Sequence, residues 1–392
     1  MQTITPEEAG FSSERLARIP KAMQNFVDRQ DLAGTLTLLA RHGQVFHCAT
    51  TGLMDIESRR PMQADGIFRI YSMTKPITVT AVLMLMEEGH FLLDDPISNW
   101  MPEFSEMWVY VGGTAESIGL TDLVRPITIR HLLTHSAGLS YGFETEHAVD
   151  TLYQKAGLYE SKSSHEFIQK LSKLPLVHQP GECFWYSMAH DVLGCLVEMI
   201  SGQSLADFFQ ERIFTPLEMI DTGFWVPQEK LARLVTMYAP HEGGGLQAAE
   251  GPEVDRTVPP SVFSGGGGLL STAADYLNFA QMLLNRGEFK GRRLLSRKTF
   301  EVLTTPHLPF PPGAIAADQG FSMGLGVGVL TDLSQGNRRG SLGSFGWGGA
   351  AGTRFWVDPQ EDMLGILLVQ TMPGFWRAPE IFEALTYAAL VD

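Results

Sequence analysis

The sequence predicts an α+β fold: one antiparallel sheet built from both chain ends and flanked by helices, with a mostly helical lobe from the middle. Three observations carry this. Early in the chain, residues 35–41 and 44–51 are β-rich runs joined at His42-Gly43, a usable two-residue hairpin turn. Late in the chain, residues 321–330, 353–357 and 363–369 are strand-like, with Gly-rich, hairpin-like connections. Between them the apolar residues fall mainly at helical spacing.

In order, Ser12 is a plausible N-cap for an amphipathic helix that puts Leu16, Ile19, Met23, Phe26 and Val27 on one face. The first hairpin follows, then a long helix after Phe68 that stops near Gly89. Residues 94–126 read as a Pro-marked, loop-rich stretch, and 127–134 open another helix. Residues 163–174 and 190–200 have helical spacing, with Gly202 placed as a C-terminal stop. Residues 240–268 are rich in Gly and Pro, have little periodicity, and read as a long loop. Ser271 or Thr272 then caps a helix through Tyr276, Leu277, Ala280, Leu283 and Leu284, and a last helix spans 379–390.

Composition narrows the function classes. The 392 residues carry 29 Lys+Arg against 44 Asp+Glu, a net charge of −15, with 44% apolar and 19% charged residues. That is ample apolar material for a core, which excludes global disorder. The length fits two or three domains, or one core with an inserted region. Phosphate backbones would be repelled by such a surface, so no nucleic-acid partner is expected. Cys48, Cys183 and Cys195 form no CxxC pair, and the start lacks a basic n-region and apolar stretch. The longest strongly apolar run, 80–86, is far short of the roughly 20 residues a membrane span needs. A cytoplasmic location without a membrane span is the expectation.

The sharpest chemical signal is Ser72-Met73-Thr74-Lys75. At the start of a helix, Ser72 and Lys75 share a face, bringing a hydroxyl and an amine together beside N–H groups that favour a developing oxyanion. Burial would lower the lysine pKa so that it accepts the serine proton. Pro76 suits a first helical turn. S-x-x-K alone is a weak pattern, and a capping serine beside an exposed lysine is the bland alternative.

Gly320-Phe321-Ser322-Met323-Gly324 is a competing G-x-S-x-G match. Its nucleophile elbow requires a following helix and a later His. Here a strand-like run follows, and no His occurs after His307. His131 and His135 are one helical turn apart, yet a packed or capping role suits them better than a metal site. Neither a P-loop nor a dinucleotide fingerprint is present, and no cofactor or metal is expected.

Several ordered motifs together resemble the serine β-lactamase-related hydrolases, which include class C β-lactamases, penicillin-binding DD-peptidases, D-aminopeptidases and family VIII carboxylesterases. They are Phe68-Arg69-Ile70-Tyr71-Ser72-Met73-Thr74-Lys75-Pro76, Leu93-Asp94-Asp95-Pro96, and Ile127-Thr128-Ile129-Arg130-His131-Leu132-Leu133-Thr134-His135-Ser136-Ala137-Gly138-Leu139. The likeness continues through Pro180-Gly181, Tyr186-Ser187, Gly267-Gly268-Leu269-Leu270-Ser271 and Trp347-Gly348-Gly349.

The resemblance implies a β-lactamase-like, transpeptidase-like fold: an α/β domain from 1–75 and 260–392, a mainly helical domain from 76–259, and an active site between them. It implies Ser72 as the acylated nucleophile, Lys75 as its activating amine and Tyr186 as the proton relay. Taken by itself, Tyr186 in Phe184-Trp185-Tyr186 reads as a core aromatic. The backbone N–H groups of Ser72 and Ala350 would form the oxyanion hole, with the third motif on the sheet-edge strand.

Two departures bear on substrate. Tyr186-Ser187-Met188 lacks the asparagine of Y-x-N, and Trp347-Gly348-Gly349 replaces K-T-G, removing a cation suited to a substrate carboxylate. The W-G-G form resembles family VIII carboxylesterases and implies a carboxylesterase acting on short-chain, neutral small-molecule esters. Amide or β-lactam hydrolysis (a weak β-lactamase, a D-aminopeptidase or an oligoamide hydrolase) and acyl transfer through the same serine are the alternatives. Tyr141, Phe143, Trp185, Trp347, Gly348 and Gly349 are candidate pocket residues. Monomer and homo-oligomer both remain open.

Overall fold

The computed structural model describes residues 3–249, 256–308, 320–335 and 339–392. The first hairpin forms as read: β1 (Gly34–Arg41) and β2 (Gln44–Asp55) join at His42 and Gly43, whose φ angles of 53° and 72° give the left-handed turn that matches strand twist. β3 (Arg60–Pro61) pairs with β2. The other end of the chain supplies β4 (Phe321–Met323), β5 (Gly328–Leu330), β6 (Phe345–Gly348), β7 (Arg354–Asp358) and β8 (Met363–Leu368). The result is an eight-stranded antiparallel sheet in the order β4-β5-β6-β7-β8-β1-β2-β3. The two ends meet at its centre, where β1 and β8 register from Leu36 opposite Leu368 to Arg41 opposite Met363.

Both faces of this central pair are covered, so β1 and β8 are buried at every position. Alternation sends Leu36, Leu38, Ile366 and Leu368 to one face, where α4 (Ala273–Leu284) packs through Tyr276, Phe279 and Leu283. Leu39, Met363 and Leu367 point the other way, toward α1 (Arg18–Asp28) and α5 (Arg377–Ala389). Ser12 caps as expected, but its helix is one turn long (Ser13–Leu16). The chain re-enters helix after Ala17, and Ile19, Met23 and Phe26 are the buried residues of α1.

α2 (Thr74–Glu87) is buried on nearly every side, its Thr74, Lys75, Thr78 and Thr80 included. It packs against α3 (Ala189–Ser201), which ends at Gly202 with φ 70°. Thr272, rather than Ser271, caps α4.

Three readings need correction. The supposed loop at 94–126 contains a hairpin, Trp108–Thr114 with Ser117–Asp122. Its aromatic and β-branched residues outweigh the neighbouring prolines. The long loop at 240–268 begins with a short strand pair, Tyr238–Pro240 with Leu246–Ala248, while 250–255 lie outside the described residues. The W-G-G strand β6 is not at the sheet edge, because β4 and β5 lie outside it. β5 pairs with Phe345 and Gly346 alone, so beyond them the Trp347-Gly348 end is bonded on the β7 side. Isolated bridges also join Gly223 to Leu270, Leu234 to Ile67 and Tyr238 to Thr371.

Candidate active site

A two-residue strand, Phe68–Arg69, pairs with Leu270–Ser271 and delivers the chain to a single 3₁₀ turn, Tyr71–Met73, from which α2 springs. Tyr71 has φ 42°, a left-handed conformation costly for a bulky residue, held immediately before Ser72. Ser72 lies on the turn, and Lys75, one turn further, has no exposed surface. The bland alternative of an exposed lysine is therefore excluded.

A buried ammonium or amine needs polar company, and Lys75 has it. Its Nζ lies 3.0 Å from Ser72 Oγ and donates to Tyr141 Oη at 3.0 Å and to the Gly266 carbonyl at 2.7 Å. Tyr186 Oη donates to Ser72 Oγ at 2.6 Å. Lys75 Nζ also sits 4.6 Å from the Tyr186 ring centroid and 5.0 Å from that of Tyr141, so the lysine is boxed by two aromatic faces. The structure thus brings Ser72, Lys75 and Tyr186 together.

The His135-Ser136-Ala137-Gly138-Leu139 segment holds the Tyr186 loop. Trp185 N donates to the His135 carbonyl at 2.8 Å, and Ser187 N to His135 Nδ1 at 3.3 Å. Burial, reinforced by His190 and Lys75, keeps the His135 pKa well below its usual value. His190 is likewise depressed by burial and then by Lys75, and neither of its ring nitrogens meets a partner among the described residues. His131 closes a capping box with Thr128 and contributes nothing at Ser72.

Across the site, β6 runs against the Ser72 turn: a Cβ on Gly349 would stand 2.3 Å from the Ile70 carbonyl, so only glycine permits this approach. Ser72 and Ala350 both face a cavity of about 1160 Å³. Of the candidate pocket residues, Tyr141, Phe143, Trp185, Trp347 and Gly348 line it, together with Tyr186. Gly349 is packed against Ile70 and is not among the lining residues.

Arg256 and Arg354 also reach the wall, so losing the K-T-G lysine does not leave the cavity without guanidinium groups. Arg256 donates to the Gly268 carbonyl at 3.0 Å, and burial lowers its pKa. The competing Ser322 lies on β4, buried, and its hydroxyl has no partner, and so no base, among the described residues. Among the described residues no group of His, Cys, Asp or Glu is placed to hold a metal ion, and no single helix is long and apolar enough to cross a membrane.

Sequence reasoning missed two participants. Tyr141 was expected only as pocket lining, yet its hydroxyl contacts Lys75; Asp191 was not singled out. Asp191 Oδ2 accepts from Tyr141 Oη at 3.2 Å, and its Oδ1 accepts from Gly266 N at 3.1 Å and from the Ser264 hydroxyl. Burial first, then the Asp191 charge, pushes the Tyr141 phenol well above its usual pKa. The available signal was an acid in the first turn of a buried helix, just after Tyr186.

Comparison with known proteins identifies the family. The Beta-lactamase family profile matches residues 19–389. Protein Rv1367c of Mycobacterium tuberculosis is 37% identical over 353 residues, covering 87% of this chain and 86% of that protein. Esterase EstB of Burkholderia gladioli is 29% identical over 376 residues, covering 91% and 90%. Among solved structures, EstCE1, described as a hydrolase with promiscuous acyltransferase activity, superposes with a TM-score of 0.81 at 26% identity, covering 95% of this chain and 99% of that one. The chain belongs to the β-lactamase family of serine hydrolase-like enzymes, near the family VIII carboxylesterases.

Proposed function

We propose that the protein is a serine carboxylesterase that cleaves short-chain carboxylic esters through an acyl-enzyme at Ser72. The observation that carries this is the double engagement of Ser72 Oγ, by Lys75 Nζ at 3.0 Å and Tyr186 Oη at 2.6 Å, at the wall of a largely apolar cavity.

In acylation, Ser72 Oγ attacks the ester carbonyl carbon and its proton passes to the neutral Lys75 amine. The carbonyl oxygen becomes an oxyanion, stabilised by the backbone N–H groups of Ser72 and Ala350. Collapse breaks the C–O bond to the alcohol, and the leaving oxygen takes the Tyr186 proton. The site then holds a Lys75 ammonium beside a Tyr186 phenolate, opposite charges that stabilise one another. In deacylation a water attacks the acyl carbon, gives its proton to the phenolate, and Lys75 returns its proton to Ser72 Oγ. One ester and one water become one acid and one alcohol, and every protein group ends as it began.

A second reading, acyl transfer to an alcohol or amine in place of water, is supported by the description of EstCE1 and by a cavity with room for an acceptor beside the acyl group. Residual amide or β-lactam hydrolysis is the remaining alternative. Hydrolysis of a chromogenic short-chain ester by Ser72→Ala and Ser322→Ala tests the assignment. Loss in the first with retention in the second is expected, and the reverse pattern overturns it. Added acceptor alcohol distinguishes transfer from hydrolysis by its ester product, and a chromogenic cephalosporin measures β-lactam opening.

A further inference from the structure

Lys75 has two partners besides Ser72 Oγ, and one carboxylate organises both. The Gly266 carbonyl can only accept a hydrogen bond. Tyr141 Oη can donate or accept, and Asp191 decides which: its Oδ2 lies 3.2 Å from that oxygen and can only take the hydrogen. The Tyr141 oxygen therefore presents a lone pair to Lys75 Nζ at 3.0 Å. The other Asp191 oxygen accepts from Gly266 N at 3.1 Å and from the Ser264 hydroxyl, and Ser264 Oγ accepts from Gly267 N at 3.0 Å. The backbone that offers the Gly266 carbonyl is thus fixed by the same residue.

A neutral amine has two hydrogens and one lone pair. With both hydrogens committed to Gly266 O and Tyr141 Oη, the lone pair has one direction left, toward Ser72 Oγ.

We propose that Asp191 and Tyr141 are positioning residues for Lys75, setting the hydrogen-bond polarity that aims its lone pair at the Ser72 hydroxyl. The other titratable groups facing Lys75 are Tyr186 on the Ser72 side and the buried His135 and His190, both held neutral by burial, so Asp191 is the carboxylate of the group. The high pKa of Tyr141 keeps its hydrogen available for Asp191.

The inference rests on Ser72 and Lys75 acting as proposed above, and the experiment separates the two. The wild type, Tyr141→Phe, Asp191→Asn and the double variant are labelled with a fluorophosphonate, and the site is read by mass spectrometry. kcat, KM and the pH profile of kcat/KM are measured with a chromogenic ester.

Each single variant is expected to label Ser72 more slowly and to lose about 10-fold or more in kcat with little change in KM. The lower limb of the pH profile should shift in the same direction in both, and the double variant should be no worse than the poorer single one. Wild-type labelling at a residue other than Ser72 overturns the nucleophile assignment and this inference with it. Labelling at Ser72 with an unchanged rate and pH profile in Tyr141→Phe overturns the inference alone, as do multiplicative losses in the double variant. Tyr141→Phe keeps the ring that packs near Tyr186, so it carries the test even where Asp191→Asn does not fold.

Discussion

Tyr186 Oη lies 2.6 Å from Ser72 Oγ, while the Tyr186 ring lies under Lys75 Nζ at 4.6 Å. One side chain therefore touches the Ser72 hydroxyl at its tip and the Lys75 amine at its face. Tyr186→Phe retains the face and removes the tip. The expected result is a folded protein whose kcat falls about 100-fold or more, the scale of a lost general acid–base group. Stopped-flow separation of the alcohol burst from steady-state turnover should show both acylation and deacylation slowed. Wild-type turnover in this variant removes Tyr186 from the proton path.

The close approach of β6 to the Ser72 turn gives a second expectation. A Cβ at Gly349 would fall 2.3 Å from both the Ile70 carbonyl and Thr353 Oγ1, so Gly349→Ala must push the strand from the turn that carries Ser72. A cost of roughly 1–3 kcal/mol in stability is expected. Activity should fall further than stability, because Ala350 follows directly. Gly223→Ala is the control: its Cβ would meet the Trp225 carbonyl at an ordinary 3.5 Å, and melting should change little.

Trp347 forms the aromatic wall, 6.0 Å from the Tyr186 ring and 6.5 Å from that of His135. Trp347→Phe should preserve turnover. Trp347→Ala removes apolar area from one side of a bound ester, so KM should rise about 10-fold for small substrates while kcat falls less. Steady-state kinetics over a series of acyl lengths would show it. An unchanged KM would place the ester elsewhere in the cavity.

The buried histidines make stability pH-dependent. His135 and His190 are held well below the usual 6.5, so below that pH the unfolded chain binds protons that the native chain does not. Stability must then fall as pH drops from about 6.5, by up to about 1.4 kcal/mol per pH unit for each fully suppressed imidazole. His190→Leu fills a similar volume and needs no hydrogen-bond partner. It should flatten the fall in melting temperature between about pH 7 and pH 5. An unaltered slope assigns the acid sensitivity to other groups.

How much of this was legible in the sequence depends on the range of the signal. The β1–β2 hairpin was legible because the turn residues and the alternation are local. α3 and its stop at Gly202 were legible because helical spacing and a left-handed glycine coincide. The hairpin of Trp108–Thr114 and Ser117–Asp122 was hidden by prolines on both sides, although its own residues favour strands. The placement of β6 inside the sheet was not legible, because β4 and β5 are three residues each and strand order is a tertiary property.

At the site, Ser72 and Lys75 were found because one helical turn joins them. Tyr186 emerged from the resemblance, since its approach to Ser72 depends on the packing of distant segments. The Asp191–Tyr141–Lys75 chain joins three separate stretches through hydrogen bonds of side chains with ordinary structural uses, and no local pattern announces it.

The pairing of β1 with β8 also sets a schedule for synthesis. A ribosome releases Gly34–Arg41 long before Met363–Leu368, yet each strand is the other's neighbour at the middle of the sheet. Even the guanidinium of Arg41 finds the carbonyl of Glu361, 320 residues onward. Closing a loop of that length is slow, and until it closes one flank of the N-terminal hairpin offers unpaired backbone and apolar side chains to other nascent chains. The centre of the sheet is therefore sealed only after Met363–Leu368 has been made, which makes chaperone supply and expression temperature levers on the yield of folded protein.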